Sequence, residues 1–133
     1  HGSFDTHGGE LPVHSQLWDT VSTGIGDFID DLREHNHSDN TATLISSEFG
    51  RRIKDNGFGT DHRSGGVALL IGESVKGGLY GDYPSLDEKY QLNGDLHANN
   101  DFRSLYTNIL EDWIGVDPID IVNGTFEKFD VFR

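Results

Sequence analysis

Thr41-Ala42-Thr43-Leu44-Ile45-Ser46 and Val67-Ala68-Leu69-Leu70-Ile71-Gly72 are the two short stretches on which the fold turns. Both are apolar and rich in branched side chains, and neither alternates with polar residues. An uninterrupted run of this length suits a strand covered on both faces, as in a parallel α/β sheet. The segment between them, Glu48–Gly66, reads as a long polar loop. Upstream, Leu17, Trp18, Val21, Ile25, Phe28, Ile29 and Leu32 recur at three- and four-residue steps, which predicts an amphipathic helix through Glu34. Pro12 suits its first turn, Gly24 and Gly26 weaken its middle, and a polar turn at 35–40 ends it. Downstream, 73–100 is Gly-, Asp- and Tyr-rich and mostly irregular. Asp101 then caps a second helix with the stripe Phe102, Leu105, Tyr106, Ile109, Leu110, Trp113 and Ile114, and Gly115 stops it. The tail 116–133 alternates apolar residues and predicts an edge strand.

Two amphipathic helices and two apolar strands give an α/β class. No repeat, low-complexity tract or linker divides the 133 residues, so one domain is expected. Composition narrows the function classes. A formal net charge of −13 repels phosphate backbones and anionic lipid, so nucleic acid is not an expected partner. The same charge attracts cations, although it also serves solubility. With no Cys, thiolate catalysis, disulfides and Cys-type zinc sites are excluded. No apolar run reaches the roughly 20 residues that span a bilayer. The chain begins at His1 and contains no Met, so an upstream segment, such as an export signal, is expected to have preceded it.

Two motifs carry metal chemistry. Asp5-Thr6-His7 sets a carboxylate and an imidazole two residues apart in a Gly-flanked loop, and Thr60-Asp61-His62 sets an adjacent pair just before an apolar strand. Mixed Asp oxygen and His nitrogen donors suit zinc, manganese or iron better than calcium, which prefers all-oxygen shells and stays as the alternative; zinc or manganese is the cofactor expected. Two such pairs could clamp ions that stabilise a displacement at phosphorus or sulfur. Glu48 and Arg51 follow a strand, where α/β pockets form, and are candidate substrate-pocket residues. Equally, they are a capping acid and a solvated base. His14, His35, His37 and His97 read as ordinary surface residues. Tyr80, Tyr83 and Tyr90 suit sugar binding, or simple self-packing. Asn36-His37-Ser38 and Asn123-Gly124-Thr125 match the N-glycosylation pattern.

Several segments in order carry a family resemblance: Ser46-Ser47-Glu48-Phe49-Gly50-Arg51-Arg52, Asn56, Gly59-Thr60-Asp61-His62, and Val75-Lys76-Gly77-Gly78-Leu79-Tyr80-Gly81-Asp82-Tyr83-Pro84. Phe4-Asp5-Thr6-His7-Gly8 and Asp101-Phe102-Arg103-Ser104-Leu105-Tyr106, with Trp113-Ile114-Gly115-Val116-Asp117-Pro118, extend it over residues 1 to about 118. Together they resemble a sulfatase-like domain-of-unknown-function family of the alkaline phosphatase superfamily, whose members often carry twin-arginine export signals. The resemblance implies a partial three-layer α/β/α sandwich, with Asp61 and His62 as the superfamily's metal pair. It implies Asp5 and His7 as an upstream pair, set closer together than usual. It also implies an exported protein, periplasmic or extracellular, and a divalent metal cofactor. Arg63 stands where the family mostly has Gly. It implies, further, that the chain corresponds to the C-terminal part of a larger domain, with the first strands, the first metal-binding acid and the nucleophile expected upstream. A formylglycine cannot arise from a chain without Cys, and no Ser or Thr lies in an activating context.

The function expected is therefore the metal-binding C-terminal portion of a phospho- or sulfo-ester hydrolase-like protein, inactive alone. Its expected partners are the remainder of a longer chain or copies of itself. A secreted non-catalytic structural or assembly protein, or a carbohydrate-binding module using the Tyr-rich loop, are the readings from other classes.

Overall fold

The computed structural model describes residues 3–133. Helix α1 spans Glu10–Glu34 and is followed by a 3-10 turn at Ser38–Asn40. Strands β1 (Thr43–Ile45), β2 (Gly50–Asp55), β3 (Thr60–Arg63) and β4 (Leu69–Ile71) come next. After a 3-10 turn at Glu88–Tyr90 come α2 (Phe102–Asn108), a π-helical stretch at Ile109–Ile114 and the short α3 (Ile119–Val122). These elements form two compact units. One comprises the described residues up to Glu73 with Ser85–His97; the other comprises Ser74–Pro84 with Ala98–Arg133.

Helix α1 follows its sequence pattern, whereas in the second helix Phe102, Tyr106 and Ile114 of the expected stripe are exposed and the small polar residues Ser104, Thr107 and Asn108 are buried instead. In α1 the half-buried positions His14, Leu17, Val21, Ile25, Ile29 and Leu32 form one narrow stripe, and Trp18 and Phe28 flank it in the open. Gly9, left-handed at φ 62°, turns the chain into this helix. The second helix starts where Asp101 accepts the Arg103 amide, then widens at Ile109 into a π stretch that Gly115, at φ 80°, ends.

The chain is mixed helix and strand, as expected of an α/β class, but its strands differ from the expected pairing. β1 and β4 are three residues each and pair antiparallel, Thr43 with Ile71, Leu44 with Leu70 and Ile45 with Leu69. A parallel pair needs a crossover of a dozen or more residues, usually helical. The connection here instead contains a hairpin that turns the chain straight back. That hairpin is β2–β3, in the segment read as a polar loop, with Gly50 opposite Arg63, Arg51 opposite His62 and Asp55 opposite Thr60. Its turn is built by Asp55 and Asn56: the Gly57 amide donates to Asp55 Oδ1 (2.6 Å), and the Phe58 and Gly59 amides donate to Asn56 Oδ1 (3.0 and 2.9 Å). Gly50 has no alternative, because a Cβ there would lie 2.1 Å from the Gly65 carbonyl oxygen. Nor are the apolar runs covered on both faces: Leu69 is 44 % exposed and Val67, outside the strand, 80 %.

The tail differs too. Ile119 and Ile121, expected in an edge strand, lie in α3, and extended pairing is confined to one bridge between Val75 and Phe132. A side chain holds the tail more than strand pairing does. Asn108, fully buried, accepts from the Phe129 amide (2.9 Å) and donates to the Phe129 carbonyl (2.6 Å), copying a ladder pair from a helix.

Candidate metal centre

The centre is assembled from the N-terminal segment and one face of the β2–β3 hairpin. Successive residues of a strand point to opposite faces, and directly paired residues share one. His62 and Arg51, being paired, therefore lie on one face, and Arg52 and Arg63 on the other. The second face is closed by Asp95, which is buried and takes Arg63 Nε at 3.0 Å and Arg52 Nη2 at 3.1 Å. Burial alone would raise the Asp95 carboxyl. The hydrogen bonds from Arg52 and Arg63 and from the Ile53 amide outweigh it and hold the group below its usual range. Arg63, which stands where the resembled family mostly has Gly, is thus turned away from His62 and already paired.

On the first face the N-terminal segment is laid across the start of α1. The Phe4 ring packs on Trp18 at 5.0 Å and on His14 at 5.4 Å, and Thr6 Oγ1 lies 2.7 Å from His14 Nε2. This carries Asp5 and His7 to the hairpin. Asp5 Oδ1 is 2.7 Å from His62 Nε2 and 3.6 Å from His7 Nε2, and the two imidazole rings stand 4.7 Å apart. Asp5, His7 and His62 each present one donor atom within 4.8 Å of the others, the spacing of a shared ion's ligands.

Asp61 takes a different place. Its Oδ1 lies 3.1 Å from His7 Nδ1 and accepts Asn56 Nδ2 at 3.0 Å. The hydrogen bond from His7, then that from Asn56, keeps the Asp61 carboxyl below its ordinary range and therefore ionised. With Asp61 as acceptor, Nδ1 is the nitrogen of His7 that donates to it, so in the neutral ring the Nε2 lone pair faces Asp5 and His62. Metal-binding histidines are oriented in this way by an outer carboxylate. The His62 ring is fixed differently, by a parallel stack on Phe49 with centroids 3.7 Å apart and planes 12° from parallel.

Whether these residues fit a metal is tested by one atom. His62 Nε2 is sealed from solvent and makes no hydrogen bond, although Asp5 Oδ1 is only 2.7 Å away. The contact is short enough for a hydrogen bond but not directed as one. A buried polar atom without a partner is costly, and a cation taking both lone pairs would satisfy it. Two imidazole nitrogens and one carboxylate oxygen form a donor set for zinc, manganese or iron rather than calcium. The residues present fit a transition-metal ion.

Of the residues singled out by sequence, Asp5, His7 and His62 are brought together as potential ligands, and Asp61 backs His7. Glu48 is exposed, in the turn between β1 and β2. Arg51 directs its guanidinium at main-chain carbonyls of the N-terminal segment and at Glu10 rather than into an open pocket. The sequence reading did not single out Glu10, and it quoted Phe49 and Asn56 only within motifs, without a role. Asn56-Gly57 was the available signal, since Asn-Gly between two strand-like runs marks a hairpin that would bring 50–55 onto 60–63.

No curated protein and no solved structure matches the chain. Residues 1–120 match the family described as "Protein of unknown function (DUF1501)". The match takes in both the N-terminal segment and the hairpin that together build this centre, and the chain belongs to that family.

Proposed function

We propose that the chain is the divalent-metal-binding portion of a phospho- or sulfo-ester hydrolase-like protein of the alkaline phosphatase superfamily. The observation that carries the reading is His62 Nε2, sealed from water, without a hydrogen bond, and facing Asp5 Oδ1 at 2.7 Å. Asp5, His7 and His62 hold the ion, and zinc or manganese suits them best. Asp61 and Asn56 hold His7 in the tautomer that presents Nε2. A bound ion of this kind polarises an ester oxygen or makes a bound water acidic. The Phe49 ring covers one face of His62 and keeps water from that side.

The reaction needs more than this chain offers. The sequence contains no Cys, and the one hydroxyl beside an imidazole among the described residues, that of Thr6 at His14, belongs to the packing of the N-terminal segment; in this reading the nucleophile and any further ligands come from another segment of a longer protein. In that reading the complete protein is exported and has the three-layer α/β/α sandwich of the superfamily, to which β1 and β4 contribute. Calorimetry tests the site directly. Zinc or manganese should bind the chain with one-to-one stoichiometry, and Asp5→Ala should remove the binding. An unmutated chain that takes up neither metal would overturn the reading.

A further inference from the structure

We infer that Arg51 is a positioning residue of the metal centre: its guanidinium holds the segment carrying Asp5 and His7 against the strand carrying His62. The inference rests on the metal reading above and deepens it. Arg51 Nη1 donates to the Thr6 carbonyl at 2.5 Å and to the Thr60 carbonyl at 2.6 Å, and Nη2 donates to the Phe4 carbonyl at 2.5 Å. The Phe4 and Thr6 carbonyls bracket Asp5. The Thr60 carbonyl immediately precedes Asp61, two residues before His62. One planar cation thus ties both halves of the ligand set together.

The surroundings agree with that task. Among the described residues, backbone hydrogen bonding ties the N-terminal segment down only sparsely, through the turn from the Thr6 amide to the Phe4 carbonyl and the bond from the Gly9 amide to the Phe58 carbonyl. Carbonyls only accept, and a guanidinium offers five N–H donors in a rigid plane, so Arg51 can serve three of them at once. Its charge is balanced by Glu10, whose Oε1 lies 3.0 Å from Nη1 with both side chains mostly buried. That balance matters, because an uncompensated cation beside the centre would oppose metal uptake. Arg51 also lies 5.2 Å over the Phe49 ring, the same ring that stacks on His62. It therefore touches the supports of both Asp5 and His62 without being a ligand itself.

Cobalt(II) is a suitable probe, because its visible bands report coordination geometry as well as occupancy. Arg51→Lys keeps the charge beside Glu10 but cannot serve three carbonyls in one plane. It should weaken cobalt binding about tenfold or more, the scale of losing an outer support of a metal site. The bands of the bound fraction should also change position or intensity. Arg33→Gln, which removes one positive charge at the far end of α1, where it pairs with Glu73, should leave affinity and spectrum unchanged. If the unmutated chain binds cobalt and R51K binds it equally well with the same spectrum, Arg51 is not a positioning residue and the metal reading stands. If the unmutated chain binds no cobalt, both fall. A nitrogen-15 NMR measurement on the unmutated chain covers the case in which R51K does not fold. Distinct, slowly exchanging Nη–H signals for Arg51 support the clamp, and a single signal averaged by free rotation overturns it.

Discussion

Asp5 and Asp61 both approach His7, one on each ring nitrogen, and the side of approach gives each its role. Asp5 stands on the Nε2 side, where His62 also converges, and Asp61 on the Nδ1 side, shared with Asn56. The two carboxylates should therefore respond differently to substitution. Removing a ligand outright, as in Asp5→Ala, should abolish measurable zinc binding in calorimetry. Removing the outer carboxylate, as in Asp61→Asn, should leave binding weaker by about 10–100-fold. Equal losses would mean that Asp61 is a direct ligand too. Both Asp-His pairs were read in the sequence as metal ligands, and the structure brings Asp5, His7 and His62 within reach of one ion. The division of labour within them was not legible, because it depends on a contact between His7 and Asp61, 54 positions apart. Arg51 shows the same limit from the other side. Its position after a strand suggested a pocket residue, whereas carbonyls from distant segments claim its donors.

Helix α1 was readable because its stripe is a local property of three- and four-residue spacing. The hairpin was hidden by the polarity of Arg51, Arg52, Lys54 and Asp55, which resembles a loop, and only the Asn56-Gly57 turn betrayed it. The apolar runs were correctly placed as strands, but partner and direction were decided by that hairpin, not by the runs themselves. Two predictions belong to the helices. Gly24 and Gly26 sit inside α1, each with open space where a Cβ would stand. Each Gly→Ala change should stabilise the chain by about 0.5–1 kcal/mol, seen as a higher urea midpoint. Asp101, the cap of α2, has its carboxyl lowered to about 2, first by the side-chain hydrogen bond from Arg103 and then by the Arg103 amide. An unfolded Asp titrates near about 3.9. A depressed folded value stabilises the charged form, so the cap's contribution is complete above that unfolded value and is lost as pH falls toward 2. Protection factors of the amides in 102–108, taken relative to the intrinsic exchange rate at each pH, should therefore fall between about pH 4 and 2, and in Asp101→Ala they should be reduced at every pH.

At the scale of the molecule, apolar burial is sparse for the apolar surface available. Among the described residues only Val122 and Val131 are buried hydrophobics, whereas Leu79, Tyr83, Phe58 and Leu11 are more than four-fifths exposed. Exposed apolar area costs roughly 25 cal/mol per Å² relative to burial, which favours association with the rest of a longer chain or with copies of this one. Light scattering at micromolar concentration should give a mass above the 14.8 kDa of one chain, rising with salt as the net charge of −13 is screened. A 14.8 kDa particle with sharp tertiary signals at every salt concentration would contradict this. The antiparallel pairing also fixes an order of events in time. β2–β3 lies nested between β1 and β4, so the outer pair must close the whole segment 46–68 unless the hairpin has already shortened it. Closing a longer loop costs more entropy, by about 0.6 kcal/mol per doubling of length, so the hairpin zips first and the outer strands follow. The N-terminal segment, with few backbone bonds of its own, docks last. In a folded population a segment so sparsely bonded is the first to lift away, so an ion held there would leave by local opening, on a clock of its own, while the hairpin beneath stays intact.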